Sequence, residues 1–432
     1  MPPSLPAALA YLDEHVNFET APSRRAHPTL DRMRAVCAFL GDPQSSYPVV
    51  HLTGTNGKGS TARMVSALLA AHGLSVGTYT SPHLERINER MVWNGAPIDD
   101  DTLASGLLAF DAIEEHVGVR LTHFEVLTAT ALRWFADVAV DVAVLEVGLG
   151  GRWDATNVAD GAVAVVTNVG LDHAEVIGPT RADIATEKAG IVKPGSTLVL
   201  GEPDPDLYPI FEARDADAIW ARDRDFGWAR NVVAVGGRLV DLFSPSGVTP
   251  EVFVPLHGPH QGDNAACALA AAEAFFGRGL DARVVRDAFA AVEVPGRFEV
   301  IQRRPLVVLD GAHNAEGARA ARATIDDDFA GRSPDILVVG FTGNRDPTTM
   351  LGVLDASRSR LVIACKPPSP RGLDPAVVAA AAGAMGVRAE VVPSAAEAAR
   401  RAVEEAGEDE FVLVTGSLHV VGEARAALRA PG

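Results

Sequence analysis

Residues 49–73, VVHLTGTNGKGSTARMVSALLAAHG, run from an apolar segment into a loop holding three glycines and one lysine, then resume with apolar residues at helical spacing. Strand, glycine-rich turn and helix in that order form the setting in which a backbone cradles phosphate. Gly54, Gly57 and Gly59 carry no Cβ to keep an anion from the main-chain N–H groups, and Thr55 and Asn56 lie among them. The helix expected from around Ser60 would add the positive end of its dipole. Lys58 offers a point charge for the β- and γ-phosphates of a nucleoside triphosphate, and Ser60 or Thr61 a hydroxyl for the accompanying Mg2+. The spacing departs from G-x-x-x-x-G-K-[ST]. The loop is two residues shorter from its first glycine, and Gly59 separates Lys58 from Ser60.

A triphosphate brings a hard cation that takes oxygen ligands and keeps waters. Glu146 stands near the carboxyl end of the apolar run VAVLEVG (142–148), the edge at which open α/β sheets bind ligands. An ionised carboxylate in such a run is costly unless it is paired or metal-bound. Asp172 and His173 follow the next apolar run, in TNVGLDHAE, and so reach the same edge; taken alone, His173 also suits a capping or core role. A second glycine-rich stretch, VGLGGRWDATN (147–157), suggests a dinucleotide fingerprint but fails it. From Gly148 the pattern G-x-G-x-x-G needs glycine where Trp153 stands.

The elements that must position these groups are those of an α/β fold. Nearly continuous apolar runs at 48–53, 142–148, 162–168, 196–201, 305–311, 335–341, 360–366 and 410–417 read as strands covered on both faces, and alanine-rich stretches at 61–72, 263–276 and 315–324 as the covering helices. The expectation is a doubly wound, mostly parallel sheet. A chain of 432 residues exceeds one ordinary core, so two domains are expected. The segment 202–256 is Asp- and Pro-rich and then holds short patches such as NVVAVGGRLVDLFS that read as small antiparallel strands, and EVPGRFEVIQRRP (293–305) reads as a linker into a fresh β–α series. The boundary falls near residue 297, giving a phosphate-loop domain over 1–297 and a smaller Rossmann-like domain over 298–432. A formal net charge of −18 argues against nucleic acid or an anionic membrane as the main partner. No apolar stretch approaches the roughly 20 residues that span a bilayer. The N-terminus lacks the basic start and long apolar core of a signal peptide. Three scattered cysteines suit reduced thiols, so a cytoplasmic enzyme is the expected class.

Further stretches, taken with these, carry a family resemblance. GTNGKGST (54–61), TSPHLERINER (80–90), FEVLTATAL (124–132), EVGLGGRWDATN (146–157), TNVGLDHAEVIG (167–178) and IATEKAGIVKPG (184–195) lie in the first part of the chain. HQGDNAACA (260–268), VPGRFEV (294–300), LDGAHNAEG (309–317) and VTGSLHVVGEAR (414–425) follow. In this order they resemble the folylpolyglutamate synthase and dihydrofolate synthase family, within the Mur ligase superfamily of ATP-dependent amide-forming ligases. The resemblance implies a P-loop Mur-ligase-like domain and a C-terminal ligase domain. It also implies transfer of L-glutamate onto dihydropteroate or a reduced folate through an acyl phosphate, releasing ADP and phosphate.

The same resemblance implies residue roles. Ser81, Glu146 and His173 would hold one Mg2+, with Ser60 and Glu146 on a second at the ATP phosphates. Lys188 stands where the family often carries a carbamylated lysine; without the motif it would read as a solvent lysine on an amphipathic helix. Asn264 matches the position that contacts adenine, although its local sequence also suits a helix N-terminus. Arg297 and Asp310 would reach ATP, and His313 would serve catalysis as the domains close; a structural capping role is the alternative for Asp310 and His313. Phe124 and Asp154 match the pterin pocket, with Ser81, Pro82, His83 and Ala155 completing the folate or pteroate set. Ile87 and His419 depart from the family's usual phenylalanine and tyrosine. No nucleic acid or membrane partner is expected, and fold analogy points to a monomer. The alternatives are another Mur-type amino-acid ligase or a nucleotide-binding regulatory protein.

Overall fold

The computed structural model describes residues 3–19, 29–343 and 345–430. The chain divides into two compact units, Met1–Arg230 with Val240–Val252 and Gly262–Val292, and Asn231–Leu239 with Phe253–Gln261 and Glu293–Gly432.

In the first unit, apolar runs form an eight-stranded sheet of β1 (Val49–Thr53), β2 (Val76–Tyr79), β3 (Met91–Trp93), β4 (Ala96–Pro97), β5 (Val142–Glu146), β6 (Val163–Val166), β7 (Thr197–Leu200) and β8 (Ala218–Ala221). Its order is β4-β3-β2-β5-β1-β6-β7-β8. β2, β5, β1, β6, β7 and β8 pair in parallel, and β3 and β4 close one edge antiparallel. Every residue of β1, β5 and β6 is buried, which is why these strands lack a polar face. From β1 the chain passes through helix Lys58–Ala71 to β2 on one side, whereas from β6 it passes through helix Arg181–Lys188 to β7 on the other. Neighbouring strands that send the chain in opposite directions leave a crevice at their carboxyl ends. The register, Leu52 opposite Glu146 and Thr53 opposite Val166, brings the turns after β1, β5 and β6 to that crevice.

Helices Asp100–Val117 and His123–Asp137 carry Leu103, Leu107, Phe110, Val126, Leu127 and Phe135 into one apolar core. Their starts are set by side chains that satisfy first-turn N–H groups: Asp99 accepts from Thr102 N, and Thr122 and Glu125 form a reciprocal capping box. A three-stranded sheet, β9 (Gly227–Ala234), β10 (Gly237–Ser244) and β11 (Gly247–Val254), fills the stretch expected to hold small strands.

In the second unit, β12 (Glu299–Arg303), β13 (Leu306–Leu309), β14 (Ile336–Val339), β15 (Leu361–Lys366), β16 (Ala389–Ser394) and β17 (Phe411–Thr415) take the order β12-β13-β17-β14-β15-β16. Only β12 is antiparallel. Val308, Leu337, Val339, Phe341, Val362 and Leu413 form its core with the flanking helices.

Three expectations need correction. Part of the presumed linker, Glu299–Arg303, is an edge strand paired with β13; its half-buried, mixed composition hides it from a search for apolar runs. The helix after the glycine loop begins at Lys58 and not around Ser60, because Gly57 already turns the chain. The short strands β2 and β16 escape the same search because one contains glycine and the other alternates and contains proline. Among the described residues, no helix is long and apolar enough to cross a membrane.

Candidate active site

The turn after β1 is built against the turn after β6. Thr55 N donates to the Asn168 carbonyl at 3.1 Å, and Asn56 N to Asn168 Oδ1 at 2.9 Å. The Asn56 carbonyl accepts from Asn168 Nδ2 at 3.0 Å and from Thr167 Oγ1 at 2.7 Å. Gly57 takes a φ of 81°, a left-handed value that a Cβ disfavours, and a Cβ there would sit 2.3 Å from Asn264 Oδ1. Gly57 also precedes helix Lys58–Ala71 with no side-chain cap, an arrangement in which first-turn N–H groups can take an anion. Lys58 Nζ donates to the Gly54 and Thr55 carbonyls at 3.1 and 3.4 Å, which holds its ammonium across the loop. Of the two hydroxyl residues, Thr61 Oγ1 turns to Asn264 Oδ1 at 3.5 Å, and Ser60 is buried one position earlier.

Glu146 ends β5 only 3 % exposed, and its Oε2 accepts from Ser81 N at 3.0 Å. The same oxygen lies 3.4 Å from where a Cβ on Gly59 would be. Glu146, Ser81 and the start of the Lys58 helix therefore meet at one point. His173 sits in the turn after β6 with φ 53°, its N–H donating to Asp172 Oδ1 at 2.9 Å and its Nε2 3.9 Å from Asp172 Oδ2. Among the described residues, no three His, Cys, Asp or Glu side chains gather as a ready-made metal cage. Oxygen donors from Glu146, Ser60 and Ser81 nonetheless suit Mg2+, which takes few protein ligands and completes its shell with phosphate and water.

Lys188 ends helix Arg181–Lys188 and is 3 % exposed. Burial pushes its amine well below the ordinary lysine value, and nearby Lys58 adds to this against Asp172, Glu187 and Asp154. The preceding Glu187 shapes the neighbouring loop: its Oε1 accepts from Trp153 N at 3.1 Å and its carbonyl from Arg152 N at 2.9 Å.

A second group of predicted residues lies around the loop after β5. The Phe124 ring fills the space where a Cβ on Gly148 would be, 2.6 Å away, and lies 6.0 Å from the Tyr79 ring. Asp154 is buried; Oδ2 accepts from Leu149 N at 3.0 Å, and Oδ1 from Thr156 N at 3.0 Å and Thr156 Oγ1 at 2.5 Å. Burial raises its carboxyl pKa, against the opposing pull of these donors. Ala155 opens the short helix that follows. Pro82 and His83 lie in the loop beyond Ser81, where His83 Nδ1 accepts from Arg90 Nε at 3.0 Å. Arg90, 2 % exposed, also makes a bidentate pair with Glu19 at 2.8 and 2.9 Å.

In the second unit, Asp310 follows β13. Its Oδ1 accepts from Ala312 N at 3.0 Å and its Oδ2 from Phe298 N at 3.2 Å. Burial raises this carboxyl pKa, with Arg297 opposing. An Arg297 terminal nitrogen lies 2.6 Å from where a Cβ on Gly311 would be. His313 Nδ1 donates to the Gly311 carbonyl at 3.0 Å, and Asn314 Oδ1 caps helix Ala315–Asp328 through Gly317 N.

Sequence reasoning missed Thr167, Asn168, Glu187, Arg90 and Glu19. Thr167 and Asn168 stand in the same TNVGLDHAE stretch that drew attention to His173, and two polar residues closing an apolar strand were the available signal. Arg90 and Glu187 stand within TSPHLERINER and IATEKAGIVKPG without being singled out there, and Glu19 has no local signal, because only tertiary contacts give these three a role.

Residues 52–272 match the family described as Mur ligase middle domain, and residues 296–418 match Mur ligase, glutamate ligase domain. The chain is 39% identical over 454 residues to the dihydrofolate synthase/folylpolyglutamate synthase of Mycobacterium tuberculosis, covering 95% of this chain and 92% of that protein. Among solved structures it is similar to Mycobacterium tuberculosis folylpolyglutamate synthase complexed with ADP and AMPPCP, with a TM-score of 0.87, 36% identity and 99% of each chain covered. It is also similar to Escherichia coli FolC in complex with DHPP and ADP, with a TM-score of 0.86, 31% identity and 99% and 98% covered.

Proposed function

The chain belongs to the Mur ligase family, in its dihydrofolate synthase/folylpolyglutamate synthase branch, and from that premise we propose that it joins L-glutamate to dihydropteroate, to a reduced folate, or to both. It is an ATP-dependent acid–amino-acid ligase. The observation that carries the reading is the meeting of the uncapped Lys58 helix, Glu146 and Ser81 at the switch point of the sheet.

A carboxylate is a poor acyl donor because its leaving group would be oxide. Attack of the pteroate or folate carboxylate on the γ-phosphorus of ATP forms a C–O–P linkage and breaks the bond to ADP. The glutamate amine then adds to the acyl carbon, loses a proton and expels inorganic phosphate. The protein must bring two anions together and offset their repulsion. Gly54, Thr55, Asn56, Gly57, Lys58, Gly59, Ser60 and Thr61 supply N–H groups, hydroxyls and one positive charge for the phosphates. Ser60, Ser81, Glu146 and His173 are assigned to Mg2+, which when bound supplies further charge neutralisation at the phosphates. Asn264, held against the loop at Gly57, is assigned to the nucleotide, and Arg297 and Asp310 likewise. His313 is assigned to the transfer step. Phe124, Asp154 and Ala155, with Ser81, Pro82 and His83, are assigned to the pteridine substrate. The limit between an ATP-binding domain and the C-terminal ligase domain is placed near residue 297.

Lys188 fits carbamylation. A buried amine kept neutral can add to CO2, forming a C–N bond and releasing a proton, which leaves an anionic oxygen donor near the Mg2+ residues. A carbonyl resonance from isotopically labelled bicarbonate that vanishes in Lys188→Met tests this. The protein is proposed to act as a cytoplasmic monomer.

The function is tested by incubating the protein with Mg-ATP and glutamate plus either dihydropteroate or tetrahydrofolate, with products resolved by mass. Gain of one glutamyl residue on one or both is expected; no gain on either pteridine sinks the assignment.

A further inference from the structure

His51 lies in the middle of β1, fully buried, and no phosphate, metal or substrate role falls to it. A histidine in a strand buried on both faces needs a hydrogen-bonding reason to be there. Its Nε2 is 2.9 Å from Thr156 Oγ1, and Thr156 Oγ1 is 2.5 Å from Asp154 Oδ1. Thr156 Oγ1 donates its single hydroxyl proton to Asp154 Oδ1, so toward the imidazole it accepts from His51 Nε2–H. The imidazole is then the Nε2–H tautomer. His51 Nδ1 has no hydrogen-bond partner among the described residues, consistent with an acceptor nitrogen left unused. Burial keeps this ring neutral, with its pKa pushed down to about 3, so the donor does not change with pH in the working range.

We propose that His51 is a positioning residue for the pteridine substrate: acting through Thr156, it holds Asp154 as a pure hydrogen-bond acceptor for the N–H groups of the aminopyrimidine edge. This rests on the assignment of Asp154 to the pteridine under the proposed function. Thr156 N and Leu149 N add two more donors to the same carboxylate. Burial favours the protonated carboxyl, which would present a donor to a donor, and these hydrogen bonds oppose it. The relay runs from the strand that ends in the phosphate loop to the residue that meets the substrate ring. It therefore ties the placement of the pteridine to the strand that places the phosphates.

Steady-state kinetics with Mg-ATP, glutamate and whichever of dihydropteroate or tetrahydrofolate the wild-type chain extends provide the test. His51→Leu and Thr156→Val are each expected to raise KM for the pteridine about tenfold, with KM for ATP within about twofold of wild type. The double variant should lose no more than the worse single one, because both cut one chain. His51→Gln, which keeps an N–H near the place of Nε2, and Thr156→Ser, which keeps the hydroxyl, should restore most of the loss. An unchanged pteridine KM in His51→Leu overturns the proposal, as does a glutamine variant no better than leucine, or an ATP KM that rises in step. If His51→Leu does not fold, Thr156→Val against Thr156→Ser decides by the same readout. Asp154→Asn separates the two levels. A normal pteridine KM in that variant removes the Asp154 assignment itself, whereas a raised one beside a normal His51→Leu removes only the relay.

Discussion

Lys58 folds its ammonium back onto the carbonyls of Gly54 and Thr55, so its charge is held over the loop before any phosphate arrives. Removing it takes away a preorganised charge of the kind worth about a hundredfold or more in rate. Lys58→Ala should accordingly lower ADP release with the pteridine substrate by at least about a hundredfold, and retained turnover would refute the phosphate role. Lys188 makes a different prediction, because its pKa in the folded chain lies below its unfolded value. Below that unfolded value the unfolded chain binds a proton that the folded chain refuses, so stability is withheld at low pH and regained as pH rises toward about 10.4. In bicarbonate-free buffer, Lys188→Met should raise the urea midpoint near neutral pH, and the gain should shrink as the pH approaches the unfolded value. A gain that grows with pH would contradict the buried neutral amine.

Where the chain turns from β1 into the Lys58 helix, one residue decides the geometry. Gly57 is left-handed and lies against Asn264. Gly57→Ala meets both obstacles; the backbone part alone costs about 1–2 kcal/mol. ATP binding, followed by isothermal calorimetry, should weaken together with the urea midpoint. The helix that presents Phe124 starts from the Thr122 capping box, and Glu125 of that box is also gripped by Arg32 at 2.8 Å. Thr122→Ala should cost about 1 kcal/mol in unfolding free energy. It should also raise the pteridine KM more than the ATP KM, since the first turn it frays carries Phe124. Strands β1, β5, β6, β13, β14, β15 and β17 were legible because burial on both faces leaves an uninterrupted apolar run. β12 was not, because an edge strand keeps polar residues.

Across the whole molecule, buried histidines set the acid limit. Burial lowers His51 to about 3 and His123 to about 4 in the first unit, and His260 to about 4 in the second. Each binds a proton in the unfolded chain below about pH 6.5 but not in the folded one, so stability falls with pH from there, by about 1.4 kcal/mol per pH unit for each histidine. Asp154 and Asp310, whose carboxyls burial pushes up, act in the opposite sense. Urea midpoints should drop between pH values of about 6.5 and 4.5; a flat profile would contradict neutral burial of these rings. The sequence by itself determined the α/β class, the glycine loop with its lysine, and the family, because each is written in contiguous residues whose spacing follows from strand, turn and helix geometry. Only the tertiary structure decided that Asn168 braces the loop, that Glu146 meets Ser81, and that His51 reaches Asp154 through Thr156. His51 and Thr156 are 105 residues apart, and their contact depends on how the turn after β5 returns beside β1, a matter of strand order and register that no local pattern encodes.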